Sequence, residues 1–438
     1  MTVESAAVPE QEQPQEQAPA PPPPPPEPLR PVSSSERVET IDILRGMALF
    51  GILAANIRAF AGPPIVYMSP HLFWPALHHR IAQAFVDAFI QGKFITIFAF
   101  LFGVGFAVQF ERASARGAKF AGTYAKRLFI LLLIGLVHGL LIWYGDILLT
   151  YALSGFILLL FRKRRDKTLV VWAVIGLSFI PLIMTGVFLA AQLGAKMPDM
   201  KPPTAEIARV AGVYADGTWL AVLKQRMQDA VKHNWGYFFI LIGQIPGLFL
   251  LGVVAWRKRF FHPAPESLPR CRAAMWWGFL VGVTGNVAMT LVRFFDPSPM
   301  PTTWLKYLMV PVQTICVPAL SLGYICFVIL LCQDAQWRAR LHRFGAVGRT
   351  ALSNYMLQSV IGTLIFYSYG LGFFGWGPAI LLPLTFVIFA AQMYLSSWWV
   401  SRYRFGPVEW VWRRLTYKGP LPMRRETTVE AAEPSLSS

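Results

Sequence analysis

Apolar residues in this chain neither alternate nor follow a single helical stripe; they come in near-continuous runs separated by short basic clusters. Each run is roughly 20 residues, the length a helix needs to cross a hydrocarbon layer of about 30 Å. About ten spans follow, at 43–61, 83–110, 127–144, 146–161, 168–193, 234–256, 273–295, 306–332, 350–369 and 376–399. A β-barrel would show segments of about ten residues with strict alternation, so helices are expected. The predicted fold class is all-α: a polytopic membrane protein of about ten transmembrane helices.

The polar connectors set the orientation. An even number of spans puts both termini on one side, and the segments on that side hold 29 of the 40 Lys and Arg. Basic clusters are retained on the cytoplasmic face, so both termini are expected to be cytoplasmic. The domain reading is a Pro- and Glu-rich disordered cytoplasmic tail at 1–36, a helical membrane domain at 37–400, a cytoplasmic interfacial segment at 401–425 and a disordered tail at 426–438. Within 401–425, an amphipathic helix is expected to start near Pro407, and the long connector 194–233 is expected to carry an interfacial helix over 205–232.

Composition sharpens this picture. With 438 residues at 55% hydrophobic and 14% charged, more apolar surface is present than soluble cores of that length bury. A net charge of +17 would suggest nucleic acid in a soluble protein; here it records orientation, and the expected partner is membrane lipid, not nucleic acid. The four cysteines have no spacing that implies a disulfide framework or metal site.

Polar groups inside the spans are the candidate chemistry, because an ionisable side chain there costs about 2.5–3.5 kcal/mol unless it has a partner or a cavity. In the first span Asp42 and Arg45 are three residues apart, and Asn56 stands eleven after Arg45, within about 20° of the same face. This stripe reads either as a substrate path or as an end-of-helix ion pair plus one interhelical hydrogen bond. In the second span Gln83, Asp87 and Gln91 share a face, with Lys93 following about ten residues in, where it either pairs with an acid on a neighbouring helix or snorkels to the surface. His138 is bracketed by Gly135 and Gly139, and Asp146 follows in a tight outer turn. An imidazole oriented by an acid suits general acid-base catalysis, and the alternative is one interhelical hydrogen bond. In the ninth span Asn354 and Gln358 share a face while Arg349 waits at the cytoplasmic mouth, where an anion would find a partner.

Several strings together resemble the YeiB-like bacterial inner-membrane proteins, a domain of unknown function numbered 418. They are Arg37-Val-Glu-Thr-Ile-Asp-Ile-Leu-Arg-Gly46 with Asn56, Lys93-Phe-Ile-Thr-Ile-Phe98 with Leu101-Phe-Gly-Val-Gly105, His138-Gly-Leu-Leu-Ile-Trp-Tyr-Gly-Asp146, Gly348-Arg-Thr-Ala-Leu-Ser-Asn-Tyr-Met-Leu-Gln358 and Phe405-Gly-Pro-Val-Glu-Trp410. The resemblance implies a ten-helix protein of the bacterial plasma (inner) membrane. A looser similarity, carried by Leu44-Arg45-Gly46, extends to multipass acyltransferases that move acyl groups from cytoplasmic coenzyme A donors to carbohydrate acceptors. Their O-acetyltransferase branch commonly has a His ten residues after that Gly, where this chain has Asn56. A second branch places a His in the first outer loop; His71, His78 and His79 lie there without a local match and are read as surface histidines.

Two functions remain open. As an acyltransferase, the protein would hold acyl-CoA phosphates at Arg45, Arg127 or Arg349 and use His138 as the base, oriented by Asp146, for a glycan or lipid-linked acceptor. The donor- and substrate-binding set is then Asp42, Arg45, Asn56, Lys93, Arg349, Asn354 and Gln358, with no bound cofactor or metal. As a carrier or permease, it would line one path with Asp42, Arg45, Lys93, His138 and Asp146.

Overall fold

The computed structural model describes residues 38–67, 69–194, 204–262, 264–297, 304–417 and 419–425, with only the backbone described at 191, 234–242, 304 and 307. The two expected tails lie outside the described residues. Fourteen α-helices are described: α1 (Glu39–Ala61), α2 (Leu77–Phe89), α3 (Lys93–Ala115), α4 (Phe120–Val137), α5 (Leu148–Leu160), α6 (Asp166–Gln192), α7 (Thr204–Asp216), α8 (Trp219–Arg257), α9 (Leu268–Phe295), α10 (Trp304–Leu331), α11 (Ala335–Arg349), α12 (Ala351–Phe366), α13 (Pro378–Arg402) and α14 (Pro407–Thr416). Among the described residues there is no β-strand, only one isolated bridge between Tyr403 and Arg424. The protein is an all-α, multipass membrane protein.

Among the described residues, seven helical stretches are long and apolar enough to cross a bilayer. Of the other three expected spans, α5 and α12 are apolar but have only 13 and 16 residues, and the third is the second half of α8. At 1.5 Å per residue α5 and α12 reach roughly 20–24 Å, short of a full crossing. α5 begins beside the candidate site, and α12 passes it at Ser359.

The expected second span breaks in two. Gly92 adopts φ 84°, a left-handed conformation that ends the α2 region before α3 starts at Lys93. Lys93 therefore opens a helix at a kink instead of lying ten residues inside one. The segment 333–350, expected as a connector, is mostly α11, and it crosses α1 at van der Waals limit. A Cβ at Gly46 would strike the Phe344 carbonyl, and one at Gly348 would strike that of Asp42. Small residues at a helix crossing permit this approach, which fixes Asp42 and Arg45 beside Arg349.

The connectors knit each end of the bundle. At the basic end, Arg257 donates to Asp166 Oδ1 (3.0 Å) and to the Arg164 carbonyl (2.8 Å), and Trp412 Nε1 donates to the Arg127 carbonyl (2.8 Å). At the opposite, loop end, the expected interfacial helix over 205–232 is a pair, α7 and the start of α8, packed on protein. Val210, Tyr214 and Val222 are buried, the Ser368 amide donates to the Tyr214 carbonyl (3.0 Å), and Arg226 donates to the Leu141 carbonyl and to Tyr369 Oη. One side of this pair covers the α4–α5 turn, while Trp219, Leu220, Met227 and Val231 at the start of α8 stay exposed.

Candidate functional site

The site begins where α4 widens. At His138–Ile142 the helix winds as a single π-turn, closed by Trp143 N donating to the His138 carbonyl at 2.9 Å, and the chain then turns back through Trp143–Ile147 into α5. Such π-turns are uncommon and cluster at functional sites. Trp143, Tyr144 and Asp146 are buried, so protein encloses this turn. Non-helical backbone at membrane depth is tolerated when protein encloses it. The bracketing glycines admit the chain's own return: a Cβ at Gly135 would lie 2.6 Å from Leu149 N, and one at Gly139 would lie 3.3 Å from the Cβ of Asp146.

That packing sets a relay. Asp146 Oδ1 lies 2.8 Å from His138 Nδ1, its Oδ2 accepts from Leu149 N at 2.8 Å, and His138 Nε2 lies 2.9 Å from Ser359 Oγ on α12. The carboxylate caps the first turn of α5. With the carboxylate accepting the Nδ1 proton, Nε2 becomes the basic nitrogen and the Ser359 hydroxyl its donor. The imidazole is 0% exposed. Its nearest aromatic neighbour is Tyr355, with ring centroids 5.2 Å apart.

Tyr355 is also a wall of a cavity of about 280 Å³ that runs to the basic end. Its deep part is apolar, with Leu131, Ile147, Leu148 and Tyr151. Toward the mouth stand six arginines: Arg45, Arg112, Arg116, Arg127, Arg349 and Arg413, against two acids, Asp42 and Glu409. Asp42 Oδ1 accepts from Arg45 Nη1 at 3.2 Å, and Arg127 stacks 3.8 Å above Trp412 while donating to Tyr417 Oη at 3.4 Å. Glu409 of α14 faces protein: its Oε1 accepts from Leu352 N (2.6 Å) and Ser353 N (3.1 Å), and its Oε2 accepts from Ser353 Oγ. This carboxylate caps α12 from another helix and locks α14 as a cavity wall. Burial pushes the Glu409 carboxyl above its usual range, and the hydrogen bonds from Ser353 and the backbone only partly offset that.

A second, larger cavity of about 1100 Å³ opens at the loop end. Asp87 lies between Arg58 (3.7 Å) and Arg293 (3.8 Å) and accepts from Gln83 Nε2 at 2.8 Å. Lys93 is 1% exposed and donates to the Asp87 backbone carbonyl at 2.6 Å, so its partner is a carbonyl at the kink and not an acid on another helix. His71 and His79 border this cavity and are not plain surface residues. Burial, with Arg80 and Lys306 nearby, lowers the pKa of His71.

The remaining sequence candidates lie elsewhere. Asn56 accepts a long bond from Tyr67 Oη (3.4 Å) and borders neither cavity, so the stripe expected from Asp42 through Asn56 divides between the two ends of α1. Asn354 binds Ser396 (2.9 Å) and Gln358 binds Gln392 (3.0 Å), while Gln392 Nε2 returns to the Asn354 carbonyl (3.1 Å). That ladder zips α12 to α13 and borders neither cavity. Sequence reasoning missed Ser359, one step past Gln358 on the adjacent stripe of α12. It also missed the convergence of Arg112, Arg116 and Arg413, which looked like ordinary basic stops.

The profile of the family described as "Protein of unknown function (DUF418)" matches residues 255–419. The chain is 35% identical over 426 residues to "Uncharacterized protein YxaH" of Bacillus subtilis (strain 168), covering 92% of this chain and 99% of that protein. It belongs to the YeiB-like DUF418 family. A further relative, "Uncharacterized protein YeiB" of Escherichia coli (strain K12), is 30% identical over 411 residues, 90% of this chain and 100% of that protein. A third, from Bacillus acidopullulyticus, is described as "Uncharacterized 39.9 kDa protein in amylase 3'region" and is 28% identical over 405 residues, 90% of this chain and 99% of that protein. The DUF418 profile covers α9 to α14 and so includes Ser359 and Glu409, while the similarity to YxaH spans nearly the whole chain.

Proposed function

We propose that this DUF418 protein is a bacterial plasma-membrane acyltransferase, taking an acyl group from an acyl-CoA donor at its basic, cytoplasm-facing end. The observation that supports it is the enclosed Asp146–His138–Ser359 relay, one aromatic side chain away from a cavity ringed by six arginines. A cavity of about 280 Å³ suits the thin arm of such a donor, not its nucleotide. The phosphates stay at the mouth with Arg45, Arg127 and Arg349, where guanidinium groups match phosphate oxygens in charge and geometry.

The chemistry is acyl transfer by general base catalysis. Once the acceptor takes the place of the Ser359 hydroxyl at Nε2, His138 removes the proton of the acceptor hydroxyl or amine as that nucleophile attacks the thioester carbonyl. The carbon–sulfur bond breaks, and the leaving thiolate takes the proton back from the imidazolium. Asp146 holds the tautomer and stabilises the imidazolium; Ser359 positions the ring. Tyr355, whose Oη accepts from Ile147 N at 3.3 Å, separates thioester from imidazole until its side chain turns. The carrier reading needs Asp42, Arg45, Lys93, His138 and Asp146 on one path, and they fall into three separate places. Purified protein in lipid nanodiscs, given acetyl-CoA and an envelope extract as acceptor, should release free CoA thiol and label the extract. Solute counterflow in liposomes without thiol release would favour the carrier.

A further inference from the structure

The loop-end cavity gathers buried polar atoms that the protein itself leaves unsatisfied. Arg58 Nε, Ser69 Oγ, Gln83 Oε1 and Gln91 Oε1 are buried atoms without a hydrogen-bond partner, and all four residues border this one cavity. Arg58, Ser69 and Gln83 are 3%, 1% and 6% exposed. Each such atom costs about 1–3 kcal/mol in a folded protein, so four around one space point to a ligand. The amide orientation of Gln83 is set, because its Nε2 donates to Asp87.

The atom types identify the ligand. Arg58 Nε is a donor, the two glutamine oxygens are acceptors, and the Ser69 hydroxyl is both. An anion has no protons for the glutamine oxygens, and a cation meets Arg58. Hydroxyl groups satisfy all four, since each donates and accepts. Four acids border the cavity against six Lys and Arg, and the cations are engaged by the protein: Arg58 and Arg293 share Asp87, Lys306 meets Asp296 (2.9 Å), Lys232 meets Glu206 (3.1 Å), and Lys93 and Arg80 donate to the carbonyls of Asp87 and Phe294. This sets the cavity apart from the arginine-ringed one at the basic end, where two acids face six arginines. Trp74, its ring fixed by Nε1 donating to the Gly375 carbonyl at 2.8 Å, and Tyr67 add aromatic surface of the kind that packs on C–H faces.

We infer that the loop-end cavity binds a neutral polyhydroxylated molecule, the chemistry shared by free sugars and the sugar headgroups of lipids. The inference stands apart from the acyl-transfer reading, because binding alone tests it and thiol release does not enter. The test uses full-length protein in phosphatidylcholine nanodiscs, titrated calorimetrically with maltose in one arm and with inorganic phosphate in another. A third arm compares Tm with and without monoglucosyl diacylglycerol in the same lipid. Saturable maltose binding assigns a free sugar, and a Tm raised only by the glucolipid assigns a lipid headgroup; either supports the site. Ser69→Ala and Gln91→Leu should each weaken that binding at least 10-fold without lowering Tm, as deleting an unsatisfied polar atom leaves the fold intact. The inference is overturned by no response to either sugar, by binding of phosphate alone, or by sugar binding that both substitutions leave unchanged.

Discussion

Gly135 and Asp146 compete for the space of one methyl group: a Cβ on Gly135 would lie 3.1 Å from Asp146 Oδ2 and 2.6 Å from Leu149 N. The glycine is what lets the carboxylate reach His138 while capping α5. Gly135→Ala should therefore cost about 1–3 kcal/mol of stability by overpacking. It should also lower thiol release by more than the loss of folded protein explains, as read by Tm and activity on the same preparation.

Arg349 stands at the mouth of the arginine-ringed cavity, at the end of α11. If it meets donor phosphate, Arg349→Ala removes a charge-assisted hydrogen bond of about 1.5–3 kcal/mol. KM for acetyl-CoA should rise roughly 10- to 100-fold, with kcat changing little. The effect should shrink at high ionic strength, since phosphate at the mouth is solvent-screened.

Glu409 makes the docking of α14 pH-dependent. Its carboxyl titrates above the ordinary value in the folded protein because it is buried. The fold therefore favours the protonated form, and this contribution is fully present below the ordinary carboxylate pKa of about 4.3 and lost as pH rises through the folded value. Glu409→Gln keeps the acceptor for Leu352 N without the titration. Thermal melts from pH 4.5 to 8 should show the wild type losing stability relative to Glu409→Gln as pH rises, and parallel curves would remove the carboxyl from this role.

Ser359 touches His138 Nε2, and its Oγ also lies 3.4 Å from the Tyr355 carbonyl. As a positioning residue it should be worth less than the base it holds. Ser359→Ala is expected to lower kcat about 10-fold, against the 10²–10⁴-fold typical of a lost general base. Ser359→Thr, which keeps the hydroxyl, should restore most of the rate.

The membrane architecture was legible because runs of about 20 apolar residues have one solution in lipid, and the expected spans fall on helices, the second divided between α2 and α3. Breaks within runs were not legible, since Gly92 looks like any glycine until its φ is known. The burial of the 143–147 turn was hidden too, because it depends on Arg226 reaching Leu141 from a helix 85 residues away. At the site, His138 and Asp146 were found as a local pair because eight residues separate them. Ser359 was not, because its relation to His138 exists only across helices. Asn354 and Gln358 show the converse: two amides on one face suggest a ligand, and here the ligand-like partner is the facing helix α13.

The most direct test is donor turnover by His138→Ala in nanodiscs beside wild type. The substitution leaves Asp146 Oδ1 and Ser359 Oγ without the imidazole, so a loss of about 1–3 kcal/mol in stability is expected, with insertion and purification intact. If His138 is the base, acetyl-CoA thiol release falls by at least 10²-fold per folded molecule and added imidazole recovers part of it. A folded His138→Ala variant that turns over donor at the wild-type rate would contradict the account.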